Sequence, residues 1–210
     1  MARRLAVLLA VLMSLVLVGC GSSDDDGPVV SGVSSSDDDG YNGIYLDEPY
    51  AVPDLKLTDT DEKPFDLATQ PKRTLVFFGY TQCPDICQVV MSTIASAVAR
   101  LSAAEQAELQ VAFVTTDPAR DTPAALRTYL DRFNPAFIGV TGPLDRIDAL
   151  GKPMDIYIKK GQKLPSGGYE VDHTTNVIAV SGGKGDLVWT ASTSQSDMAE
   201  DLEKILKADA

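Results

Sequence analysis

Thr74-Leu75-Val76-Phe77-Phe78 is the stretch that most limits how this chain folds. It is a continuous apolar run without polar alternation, as expected of a strand covered on both faces. Leu109 to Thr115 (LQVAFVT) is a second run of the same kind. Between them Ile86, Val90, Ile94, Ala97, Val98 and Leu101 recur at helical spacing, which predicts a helix over 86–101.

The rest of the chain extends this pattern. Residues 53–67 alternate apolar and polar around Asp59-Thr60-Asp61-Glu62 and read as an N-terminal hairpin. Thr122-Pro123 supplies an N-cap followed by proline at the first helical position, so a helix should run to about Arg132. Phe137 to Val140 reads as a short strand, and Pro143 to Leu150 as a short helix stopped by Gly151. Met154 to Lys159 reads as a strand and Gly161 to Tyr169 as a loop. Thr174 to Val180 and Leu187 to Thr190 read as strands joined across Gly182-Gly183-Lys184-Gly185. Ser196 to Lys207 carries Met198, Leu202, Ile205 and Leu206 on one face and closes the chain as an amphipathic helix. This order predicts an α/β fold with a mixed central sheet flanked by helices, in one domain over residues 45–210.

Residues 1–19 read as a lipoprotein signal peptide. Arg3 and Arg4 precede a 14-residue apolar h-region, Leu5 to Val18. That length suits a signal-peptide core and is short for a membrane span. Leu17-Val18-Gly19-Cys20 resembles the bacterial lipobox, in which the cysteine is acylated, so Cys20 is the expected lipidation site. Residues 20–44 then form an acidic linker with two triple-Asp runs, Asp24 to Asp26 and Asp37 to Asp39. Few apolar residues and unpaired like charge predict disorder there. A tether of roughly 30 residues would reach on the order of 30 Å. The expected location is the outer, extracytoplasmic face of a bacterial cell membrane.

Charge narrows the partners. The chain carries −12; loss of Arg3 and Arg4 makes this −14, and setting aside the six linker aspartates leaves −8 on the domain. An acidic domain without a basic stripe argues against nucleic acid. It also argues against electrostatic membrane binding, leaving the lipid to anchor the chain.

With Cys20 assigned to lipid, two thiols remain, in Cys83-Pro84-Asp85-Ile86-Cys87 at a strand-loop-helix junction. Ligands collect beyond the carboxyl ends of strands in such sheets. A helix N-terminus favours thiolate, and a spacing of four places both sulfurs on one face of the first turn. The sulfurs can converge on an ion or on each other. A disulfide closing so small a loop would restrain the unfolded chain little, so it is a poor structural staple. Metal binding and redox exchange therefore both stand. His173, the single histidine, lies in Val171-Asp172-His173-Thr174-Thr175 at the entry to a strand pair. Alone it reads as a hydrogen-bonded loop imidazole. Beside two thiolates, which select Cu(I) or Zn, an imidazole makes a site that also holds Cu(II). A structural zinc site would need a fourth ligand. Asp172 is a candidate to orient the imidazole, and equally a surface carboxylate.

Three motifs occur in order: Phe78-Gly79-Tyr80-Thr81-Gln82-Cys83-Pro84-Asp85-Ile86-Cys87, Thr116-Asp117-Pro118-Ala119-Arg120-Asp121-Thr122, and Asp172-His173-Thr174. Together they resemble the Sco/SenC family over about residues 50–207. The resemblance implies a thioredoxin-like fold and copper bound by Cys83, Cys87 and His173. It implies delivery of copper to, or reduction of the cysteines of, the dinuclear copper site of cytochrome c oxidase, with subunit II as the accepting membrane protein. The family's acidic loop maps to Asp117 and Asp121, with Arg120 between. Asp121 on its own reads as turn and helix-cap chemistry. Gln88 and Gln82 depart from the family's usual Pro and His, and neither change removes a ligand. The competing reading is a membrane-anchored thiol-disulfide reductase using Cys83 and Cys87. A peroxidase would need a Thr-x-x-Cys pattern that is not matched.

Overall fold

The run Thr74 to Phe78 lies inside a strand whose seven residues, Arg73–Gly79, are all buried. The computed structural model describes residues 40–164 and 168–209; the expected signal peptide, Cys20 and the linker as far as residue 39 lie outside the described residues. In chain order the elements are β1 (Ile44–Ala51), β2 (Lys56–Asp59), β3 (Pro64–Asp66), β4 (Arg73–Gly79), α1 (Ile86–Val98), α2 (Ala103–Glu108), β5 (Leu109–Thr115) and α3 (Pro123–Leu130). They continue as β6 (Ile138–Thr141), α4 (Leu144–Gly151), β7 (Ile158–Lys163), β8 (Tyr169–His173), β9 (Val177–Ser181), β10 (Lys184–Trp189) and α5 (Gln195–Asp209).

Eight strands form one mixed sheet in the order β1-β10-β9-β4-β5-β6-β2-β3. β4 pairs parallel with β5, and β5 parallel with β6, while the flanking pairs are antiparallel. β4 thus sits in the middle, and its alternate side chains enter two cores. Leu75 and Phe77 pack with Met91 and Ile94 of α1, Leu126 of α3 and Leu202 of α5. Val76 and Phe78 pack on the other face with Ile147 and Leu150 of α4. Each phenylalanine buried there contributes ~1.5–3 kcal/mol, which is why the central run lacks polar residues.

Local signals set the ends of the elements. Asp85 caps α1 by accepting from the Ile86 N–H. Thr122 caps α3 by accepting from the Ala125 N–H, with Pro123 at the helix start. β9 and β10 turn through Gly182 and Gly183, at φ +55° and +74°, a two-residue connection that needs left-handed backbone at both positions.

The structure departs from the sequence expectations in several places. β1 occupies a stretch whose pattern does not predict a strand. Asp47-Glu48-Pro49 interrupts its alternation, and its register to β10 shifts between Tyr45 and Tyr50, as edge strands tolerate. α2 is a further addition, in which Ser102 and Glu105 form a full capping box. Met154 is not in a strand: residues 152–154 form a 3₁₀ turn, Asp155 adopts left-handed backbone, and β7 starts at Ile158. Met154 and Ile156 plug the second core, which produces a strand-like alternation without a strand. β7 runs through part of the expected loop and pairs with β8 as a separate two-stranded sheet. His173 therefore ends β8 rather than opening the strand that follows, β9.

Candidate metal centre

The chain leaves the sheet at Gly79 and enters α1 at Ile86, so the loop between them is fixed at both ends. A Cβ on Gly79 would lie 3.0 Å from Phe113 and from Phe77 and 3.1 Å from the Cys87 Sγ. A side chain there would press on all three, so glycine suits the close approach of the strand end. The Cys83 N–H donates to the Tyr80 carbonyl at 3.2 Å, closing a turn. Cys83 consequently precedes the helix and does not share its first turn with Cys87. Its Sγ accepts instead from the Cys87 N–H at 3.4 Å, so the helix N-terminus still faces the sulfur.

His173 comes to the pair from β8. Its Nε2 is 3.5 Å from the Cys87 Sγ, and its Nδ1 is 2.9 Å from the Thr174 carbonyl. A carbonyl only accepts, so this contact places the proton on Nδ1 and turns the Nε2 lone pair toward sulfur. The ring meets Phe77 and Tyr80 edge to face, with centroids 6.3 and 5.8 Å away. One sulfur each from Cys83 and Cys87 and one nitrogen from His173 lie within 4.8 Å of one another. Metal bonds of about 2.0–2.3 Å put donors as far as about 4.6 Å apart, so the three can close on one ion with a small adjustment. Among the described residues no other group of His, Cys, Asp or Glu of this kind occurs. Both cysteines are free thiols and buried.

The SCO1/SenC family profile matches residues 46–207. The chain belongs to the SCO1/SenC family. It is 36% identical over 147 residues to a candidate copper-binding protein of Stutzerimonas stutzeri, covering 70% of this chain and 71% of that one. It spans less than half the length of the mitochondrial SCO proteins of Saccharomyces cerevisiae that it matches. Apo Sco1 from Thermus thermophilus superposes with a TM-score of 0.70 at 29% identity, over 81% of this chain and 97% of that one. Bradyrhizobium japonicum ScoI, solved with copper bound, superposes with a TM-score of 0.66 at 28% identity, over 73% and 98%. The thioredoxin-like, mixed α/β architecture expected from the motifs is the architecture of this SCO1/SenC domain.

In this Sco domain the two thiols differ. The Cys83 pKa is lowered to about 4, chiefly by a hydrogen bond from the Cys87 thiol. Burial opposes the shift, and backbone N–H groups of Cys87 and Asp85 add to it. The Cys87 pKa is raised, first by donating to Cys83 and then by its own burial. The pair thus holds one proton, on Cys87, and presents Cys83 as thiolate. Tyr80, beside them, has its hydroxyl pKa pushed up to about 12, mainly by burial.

The second motif surrounds the pair in a way its sequence does not reveal. Asp121 does not cap α3, which Thr122 does. Its buried carboxylate accepts from the Thr81 N–H (3.0 Å), the Thr81 hydroxyl (2.6 Å) and the Thr115 hydroxyl (2.7 Å). It holds the cysteine loop onto the end of β5. Asp117 is buried, accepts from the Tyr169 hydroxyl at 2.7 Å and pairs with Arg120. Gln82 is exposed, and its Oε1 accepts from Arg120 at 3.4 Å. Asp172 is exposed and the imidazole's partner is the Thr174 carbonyl, so the surface reading of Asp172 is the one that applies. Gly79, Tyr80, Thr81 and Tyr169 join the site without being marked by residue type. The first three lie inside the first motif, whereas Tyr169 carries no local signal.

Proposed function

We propose that this chain binds copper through Cys83, Cys87 and His173 and passes it to an acceptor protein. The observation that carries the reading is the convergence of two sulfurs and one imidazole nitrogen within 4.8 Å. Two soft donors suit Cu(I), and the added imidazole lets the same site hold Cu(II). A three-ligand set without a fourth cysteine or histidine suits cargo that must leave again. Copper bound to the related Bradyrhizobium ScoI supports the assignment.

The residues divide the work. The Cys83 thiolate is ready to bind without losing a proton, and Cys87 must release its own. The Nδ1–H bond to the Thr174 carbonyl aims Nε2 at the sulfurs. Phe77 and Tyr80 hold the imidazole edge to face.

The acceptor is the dinuclear copper site of cytochrome c oxidase, on subunit II. What supports this reading is membership of the SCO1/SenC family over residues 46–207 together with the three ordered motifs. Cys20 carries the lipid anchor on the extracytoplasmic face, a reading supported by Leu17-Val18-Gly19-Cys20 at the end of an apolar run. The reductase reading is weaker. A sulfur that attacks a protein disulfide must be reached by it, and here Cys83 is 5% and Cys87 0% exposed.

Titration of the reduced chain with Cu(II), followed by thiolate-to-copper charge-transfer absorbance, tests the proposal. The band should saturate at one copper per chain and be absent from the Cys83→Ser, Cys87→Ser double variant. A band of equal strength in both proteins would overturn it.

A further inference from the structure

We propose that Asp117, Arg120 and Tyr169 form a latch that seats the β7–β8 hairpin and thereby positions His173 against Cys87. The inference rests on the reading of His173 as a copper ligand.

β7 and β8 pair with each other and not with the eight-stranded sheet. His173 is the last residue of β8, opposite Ile158. Its distance from Cys87 therefore depends on what fixes this hairpin to the rest of the domain. At the His173 end the hairpin is tied through Thr174. Its N–H donates to the Tyr157 carbonyl at 3.0 Å, and its hydroxyl accepts from the Tyr157 N–H at 2.9 Å. Both partners belong to the segment that leads into β7, so these bonds close the hairpin without joining it to the cysteine loop.

The hairpin joins the cysteine loop within β8, where the Val171 N–H donates to the Tyr80 hydroxyl, and again at the end away from His173. The Tyr169 hydroxyl donates to Oδ1 of Asp117 at 2.7 Å. The Arg120 guanidinium stacks 3.8 Å over the Tyr169 ring centroid, and the Lys160 ammonium lies 4.0 Å from the same centroid. Arg120 donates through Nε to Asp117 and through Nη1 to Gln82. It also lies 5.6 Å from the centroid of the Tyr80 ring, which meets His173 edge to face. One guanidinium thus touches the cysteine loop, the loop after β5 and the hairpin that carries the imidazole. A planar fork with several donors suits such a junction better than an ammonium. A buried ion pair adds little to net stability compared with apolar packing, but it does specify geometry. Here the geometry specified is the approach of β8 to α1.

The three are positioning residues, acting through His173. Cu(I) can remain on the two sulfurs when the imidazole is displaced, whereas Cu(II) needs the nitrogen. Loss of the latch should therefore weaken Cu(II) selectively.

The test uses Arg120→Met and Tyr169→Phe in the full chain, each alone and combined with His173→Ala. Tyr169→Phe removes one hydroxyl and keeps the ring, so it stays informative if Arg120→Met folds poorly. Cu(II) affinity should fall about tenfold in the single variants, with a shifted charge-transfer band and unchanged Cu(I) affinity. Adding either change to His173→Ala should cost nothing further, because the residues act as one unit. Without metal, amide hydrogen exchange should quicken over 158–163 and 169–173 and stay unchanged in β4 and β5. Equal losses with and without His173 would overturn the latch, as would unaltered exchange in the hairpin. If wild type and His173→Ala bind Cu(II) alike, the ligand reading fails while hairpin exchange still decides the latch.

Discussion

Asp121 grips Thr81 twice, accepting from its backbone N–H at 3.0 Å and from its hydroxyl at 2.6 Å. The residues are 40 positions apart in sequence, and Thr81 precedes Cys83 by two. The bond pair therefore ties the start of α3 to the loop that aims the first sulfur. Truncation by Asp121→Ala would leave the Thr81 and Thr115 donors buried without an acceptor, at a cost of about 1–3 kcal/mol. Urea denaturation of the two proteins measures it; a change near zero would mean that water replaces the carboxylate.

The same residue gives a pH signature. Burial raises the Asp121 pKa, against the hydrogen bonds from Thr81 and Thr115. The folded state then takes up a proton at a higher pH than the unfolded chain does. This contribution is fully present below the unfolded carboxylate value of about 3.9 and is lost as pH rises through the folded one. Wild type should accordingly gain stability relative to Asp121→Asn as pH falls from neutrality toward about 4, the unfolded carboxylate value. Parallel pH profiles for the two proteins would contradict the shift.

Gly79→Ala tests the close approach at the end of β4. The added methyl would meet two phenylalanine rings at 3.0 Å and the Cys87 sulfur at 3.1 Å, none of them on an exposed flexible arm. Overpacking of this kind costs ~1–3 kcal/mol. Calorimetry should show a lower melting temperature, and the copper charge-transfer band should shift because the sulfur moves. A variant with wild-type melting and spectrum would show that the junction is slack.

Asp201→Ala addresses a fastening that does not involve Cys83, Cys87 or His173. The buried carboxylate accepts from the N–H groups of Asn42 and Gly43 and from the Trp189 indole. It fastens the chain preceding β1 to α5 and β10. Counting the Asn42 side-chain amide, removing it strands four donors, so a loss of at least about 1–3 kcal/mol is expected, with faster hydrogen exchange at Asn42 and Gly43. Copper affinity should not change, since none of these bonds reaches the cysteine loop or His173. A large drop in copper affinity would show that the two regions are coupled.

How far the sequence discloses this molecule depends on how local each determinant is. β4 and β5 are legible because burial on both faces leaves an unbroken apolar run, and the observed β5 spans the expected Leu109–Thr115. α3 is legible because its cap and first residue are adjacent. β1 is hidden because an edge strand carries Asp47, Glu48 and Pro49 at little cost. β7 is displaced because Met154 and Ile156 alternate for packing reasons without forming a ladder. Cys83, Cys87 and His173 stand out by residue type, and their convergence is a tertiary fact. Tyr169 cannot be singled out, since its meaning depends on Arg120, 49 positions earlier, meeting it in space.

Copper binding at Cys83 and Cys87 can be measured by a Cu(I) competition titration against a chromophoric chelator of known affinity, run on the reduced full chain and on its Cys83→Ser, Cys87→Ser double variant. Wild type should take one Cu(I) per chain, and the variant should leave the metal on the chelator. Equal affinity in the two proteins would contradict copper binding at this site.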